Sequence, residues 1–203
     1  MVLGGTVLAL ISALLRPLSV LNTWLLRLGR ALAWVALGLM VAIILAQIFF
    51  RYVIGDAQNW TEEAARFLML WMTGLAAPSA YRWGGFVAID MAVTSLSRIP
   101  GLILQLFLLA ICLAVCLTGV YFGWDHVTGF AGRFNSSSLR LPLDLVGGEA
   151  VKVKLAYMHA ALFTCMVLMV LVTLELILSR IVALFDADAD PVWDPDRRVV
   201  ETD

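Results

Sequence analysis

Few side chains in this chain are able to do chemistry, and the densest set lies in "NWTEEAARF", residues 59–67. Glu62 and Glu63 are adjacent carboxylates, and Arg66 stands three and four positions beyond them. Three kinds of chemistry use such groups: acid–base catalysis, passage of an ion, and anchoring of a helix. A hydrolytic carboxylate pair must converge on one bond. Neighbours on a helix point about 100° apart, so Glu62 and Glu63 diverge. Anchoring fits better. Asn59 is a helix-cap residue, and Glu62 follows at capping-box spacing. Both glutamates then occupy the first turn, where the helix dipole favours negative charge. Glu62 with Arg66 (i,i+4) or Glu63 with Arg66 (i,i+3) can pair along one face. Trp60 suits the level of lipid headgroups.

The other reactive side chains are scattered. His126 and His159 are the two histidines, and both fall at the edges of apolar runs. Two such imidazoles could ligate a haem, as in a membrane anchor subunit of an oxidoreductase. Arg51 closes an apolar run, either snorkelling to the interface or pairing with Glu62. Asp90 follows Gly84-Gly85 and can cap a short interfacial helix or make a polar contact to a partner. Glu175 is expected to reach headgroups or Arg180. Cys112, Cys116 and Cys165 all lie in apolar runs and are expected to pack as small apolar residues.

The elements that must position these groups are membrane helices. Of the 203 residues, 62% are hydrophobic and 14% charged, and the mean hydropathy is +0.94. A soluble domain is nearer ~45–50% apolar and ~25% charged. A net charge of −1 points away from nucleic acid. A span needs ~20 mostly apolar residues. Four segments qualify, at about 24–50, 64–83, 102–124 and 155–177, the second short and carrying Arg66. The stretch of about 2–23 is expected to form a separate amphipathic interfacial helix, with Arg16-Pro17 ending its first apolar run and Leu18, Leu21, Leu25 and Leu28 forming its apolar face. Residues 1–185 are thus one membrane domain, and 186–203 form an acidic tail with the composition of a disordered segment. Lys and Arg divide eight to six in favour of the side holding both termini, which predicts cytoplasmic ends. The loop of residues 125–154 is polar, turn-rich and too small for a domain. Gly74 precedes Pro78 by four, so a proline kink there would meet no Cβ.

At this point the sequence resembles a family. "FFRYVIG" followed by "WTEEAARFLMLWMTGLAAPSAYRWGGFVAID" is similar to the small membrane subunit of tripartite ATP-independent periplasmic (TRAP) transporters. The matching elements are Arg51-Tyr52, Trp60, Glu62-Glu63, Arg66, Trp71, Arg82, Gly84-Gly85 and Asp90, with the four-span layout and the later "SLRLP". Phe86 stands where the family often has His, and Ala88 where it often has a cation. The resemblance implies a division of labour. A periplasmic solute-binding protein captures an organic acid, and a large membrane subunit holds the solute and sodium sites. The small subunit braces the large one and helps dock the binding protein. It implies an inner-membrane scaffold that is no enzyme, with no cofactor, no catalytic, substrate-binding or metal residue, and with membrane lipids around it. The subunit-interface candidates are then Arg51, Trp60, Glu62, Glu63, Arg66 and Asp90. The haem-binding anchor and an independent homo-oligomeric channel stand as alternatives.

Overall fold

The computed structural model describes residues 2–55, 59–83, 97–129, 133–141 and 151–185. Their elements are helix α1 (Val2–Phe49), a π-helical turn (Phe50–Ile54), α2 (Asn59–Arg82), α3 (Arg98–Thr128), strands β1 (Asn135–Leu141) and β2 (Val151–Lys154), and α4 (Ala156–Phe185). The fold is all-α, with one short hairpin. Ala13–Ile54, Ile99–Thr128 and Ala156–Phe185 are long and apolar enough to cross a membrane. At 24 residues α2 has the length, but Glu62, Glu63, Arg66 and Arg82 make it more polar than the other three.

The N-terminal region differs from the sequence expectation in two ways. First, α1 is one continuous helix of 48 residues with Pro17 inside it. Proline removes one backbone bond and crowds the carbonyl four residues back. Where water is scarce, the remaining helical bonds have no competitor, so the helix continues. At ~1.5 Å per residue, α1 is about 72 Å long, more than twice the ~30 Å hydrocarbon core. Second, the side of α1 opposite Leu21 and Leu28 is polar and buried. Leu21 and Leu28 are exposed, whereas Ser19, Asn22, Thr23 and Leu26 are buried. In water, leucines would seek the interior. In lipid, apolar side chains have no reason to leave the surface, and polar groups gather inside. α1 passes into the π-helical turn, which Gly55 ends at φ 77 with its N–H bonded to the Phe50 carbonyl. That left-handed conformation favours glycine.

The described residues fall into two compact units. The first draws on Met1–Leu28, Pro78–Thr118 and Val167–Asp203. Its apolar core is Leu26, Tyr81 and Val172, with Cys112, Met169 and Leu176 packed against it. Cys112 and Cys116 in this unit are free thiols.

The second unit comprises Gly29–Ala77 and Gly119–Met166. Small residues bring its helices together. A Cβ at Gly74 would lie 2.7 Å from the Ala161 carbonyl oxygen of α4, and one at Gly29 would lie 3.2 Å from that of Leu75. Gly74 therefore serves close approach to α4 rather than relief of a Pro78 kink alone. Gly123 meets Phe163, whose ring lies 5.7 Å from that of Trp124. The hairpin also belongs to this unit. β1 and β2 pair antiparallel with Asn135 opposite Lys154, Arg140 opposite Lys152 and Leu141 opposite Val151. The Leu155 N–H closes its base on the Phe134 carbonyl at 2.9 Å, and α4 begins at the next residue. A polar loop was expected there; "VKVK" alternates with the period of a strand.

Candidate functional site

The first unit holds a buried ion pair that joins three helices. Arg82 ends α2, Glu175 lies in α4, and Ser19, Asn22 and Thr23 come from α1. Arg82 Nη2 donates to Glu175 Oε1 at 2.6 Å, and the two side chains are 3% and 2% exposed. Asn22 Nδ2 donates to the other carboxylate oxygen at 2.7 Å and to the Leu171 carbonyl at 3.1 Å. Arg82 Nη1 donates to Thr23 Oγ1 at 2.8 Å, and Nη2 also reaches Ser19 Oγ at 3.1 Å. Thr23 donates in turn to the Ser19 carbonyl at 2.8 Å. Both carboxylate oxygens are thus engaged, while Arg82 Nε is buried without a partner among the described residues.

One step along, Tyr81 Oη lies 3.0 Å from Thr173 Oγ1 and 3.4 Å from Cys112 Sγ. Thr173 gives its own proton to the Met169 carbonyl at 2.7 Å. The Tyr81–Thr173 bond is therefore donated by the phenol. Together these contacts tie α1, α2, α3 and α4 through polar atoms inside an apolar surround. A charge buried alone is very costly, so each charge here depends on the other. A guanidinium cannot give up its proton, which makes the pair a fixed brace rather than a relay.

The second unit carries the charged opening of α2. Arg66 Nη2 donates to Glu62 Oε1, and the side chains are 67% and 62% exposed. Trp60 is exposed beside them, Thr61 is buried, and Glu63 also has a polar partner. Arg51 lies over the Tyr52 ring, 6.0 Å from its centre. Trp71 contacts Phe67 with ring centres 6.4 Å apart, and its buried indole N–H has no partner among the described residues. Asn59 begins α2, but its side chain lies outside the described residues, as do Asp90, the short helix expected after it, and the acidic tail.

The His126 and His159 rings lie 5.7 Å apart, tilted by 59°.

Three helices long and apolar enough to cross a membrane, an exposed charge pair at the head of α2 and, in the other unit, a buried brace fit a membrane component, with no convergent catalytic centre among the described residues. One family model matches residues 40–183, that of the tripartite ATP-independent periplasmic transporters, DctQ component. The chain belongs to the DctQ family. No curated protein and no solved structure gave a significant match. The DctQ match covers Glu62, Arg66, Arg82 and Glu175 and leaves out Ser19, Asn22 and Thr23. DctQ proteins are components of a transporter and not a family of enzymes. With three long apolar helices, this DctQ chain is a multi-pass inner-membrane protein.

Sequence reasoning missed the brace in this DctQ chain. It assigned Glu175 to headgroups or Arg180 and gave Arg82 no partner. A signal was present: "SVLNT", Arg82 and Glu175 each place polar groups within or against apolar runs. Isolated polar residues on several membrane helices tend to find one another.

Proposed function

We propose that this DctQ chain acts as a rigid scaffold. It holds the large membrane subunit of a TRAP transporter and helps dock the periplasmic solute-binding protein, in sodium-driven uptake of an organic acid. It performs no bond chemistry. Both termini lie in the cytoplasm, and the Glu62–Arg66 end of α2 faces the periplasmic side.

The observation that carries this reading is the different fate of the two charge pairs. Arg82 and Glu175 are neutralised inside the chain. Glu62 and Arg66 stay about two-thirds exposed at the head of an otherwise apolar helix. An exposed pair of this kind adds only ~0.3–0.5 kcal/mol to the chain's own stability. Its charges are available to a neighbouring protein, where partial desolvation strengthens them. Large apolar side chains such as Leu28, Leu32, Phe107 and Ile111 also face outward, as a subunit surrounded by lipid and a larger membrane partner requires.

The test uses the whole transporter in membranes. Arg66→Ala and Glu62→Ala should each lower co-purification of the large subunit or solute uptake. The solute affinity of the isolated binding protein should not move. Normal import together with normal co-purification in both variants rules out the interface role. The channel alternative makes a different prediction, since the lone chain would then conduct in liposomes.

A further inference from the structure

His126 sits in the last turn of α3, and His159 in the first turn of α4. His126 Nδ1 lies 2.8 Å from the Phe122 carbonyl oxygen. A carbonyl only accepts, so Nδ1 carries the proton and Nε2 of the neutral ring keeps its lone pair. Metal-ligating histidines are oriented in this way, with the other ring nitrogen donating to a carbonyl or carboxylate. The ring centres of His126 and His159 are 5.7 Å apart. Two imidazoles that share one tetrahedral ion through nitrogens at ~2.0–2.1 Å have ring centres about 5–6 Å apart.

We propose that His126 and His159 form a two-imidazole site for a divalent transition metal, bridging the end of α3 to the start of α4. Imidazole nitrogen selects Zn²⁺, Ni²⁺, Co²⁺ or Cu²⁺ over Mg²⁺ or Ca²⁺. Among the described residues no cluster of three or more His, Cys, Asp or Glu side chains is placed to hold a metal. Water therefore completes the coordination, and the site is open to solvent on the side of His126, which is exposed. The ion cross-links the two helices directly beside the hairpin that connects them. This inference does not depend on the scaffold reading, since it concerns binding by the chain alone.

The test is titration of the full chain, purified without a histidine tag in detergent micelles, with Co²⁺ and Zn²⁺. One Co²⁺ per chain should bind saturably, with visible absorption bands of nitrogen ligation that Zn²⁺ abolishes. Zn²⁺ should also raise the melting temperature. His159→Phe keeps a ring against His126 but offers no ligand, and His126→Asn removes the other. Each should weaken binding by at least the ~10–100-fold seen when only an outer-shell partner of a metal site is lost. Helix content by circular dichroism should match the parent in both. Binding that never saturates in the parent chain, or that is unchanged in either well-folded variant, overturns the site. The ring pair would then be an aromatic contact only.

Discussion

Glu175→Ala is the sharpest test of the buried brace. The substitution removes two charge-assisted hydrogen bonds, from Arg82 at 2.6 Å and from Asn22 at 2.7 Å. At ~1.5–3 kcal/mol each, their loss costs about 3–6 kcal/mol in a soluble protein. Breaking a buried pair from one side gives a similar ~3–5 kcal/mol. Hydrogen bonds between membrane helices measure less, because the unfolded chain in lipid also finds partners. The lower end, about 3 kcal/mol, is therefore expected, or roughly a hundredfold in the folding equilibrium. Reversible unfolding in mixed micelles, followed by tryptophan fluorescence, reads this directly. Arg82→Ala should cost less. A stranded carboxylate can take up a proton, whereas a stranded guanidinium cannot lose one. Replacing both partners, Arg82→Met with Glu175→Leu, should recover most of the loss, as happens when buried pairs are exchanged for well-packed apolar groups. The reasoning fails if each alanine variant costs under ~1 kcal/mol, or if the effects of the two simply add, since additivity means the residues are independent.

Two further substitutions probe helix packing in each unit. Gly74→Val should separate α2 from α4, since even a Cβ would lie 2.7 Å from the Ala161 oxygen; overpacking of this kind costs ~1–3 kcal/mol, read as earlier unfolding in the same micelle assay. Tyr81→Phe removes the phenol's bond to Thr173 at 3.0 Å and should cost ~0.6 kcal/mol, with a ceiling near 1.7. A loss much beyond that ceiling would mean that the hydroxyl has a role outside the bond described.

The long apolar helices were legible in the sequence because a membrane span is a local property of some twenty consecutive residues. The opening of α2 was legible for the same reason, since Glu62 and Arg66 are four residues apart and helix geometry alone brings them together. The brace was not legible. Glu175 is 93 residues from Arg82 and 153 from Asn22. Their meeting depends on how three helices are rotated, which no local pattern encodes. The inward polar side of α1 was not foreseen because the stretch of about 2–23 was read as a separate interfacial helix. The same periodicity in lipid points Leu21 and Leu28 outward and Asn22 and Thr23 inward. The hairpin escaped notice because β2 has only four residues, too few for alternation to stand out from a polar loop.

The order in which the ribosome delivers the two partners gives the brace a temporal side. Arg82 emerges 93 residues ahead of Glu175. At ~5–20 residues per second, it waits about 5–20 seconds for its counter-ion. During that interval the guanidinium would sit in oil unopposed, so the C-terminal end of α2 has reason to stay at the water boundary. Synthesis of α4 removes that obstacle. Final seating of α2 is thereby coupled to completion of the last helix, and a chain stopped short of Glu175 keeps an unmatched cation by which quality-control machinery could tell it from a finished one.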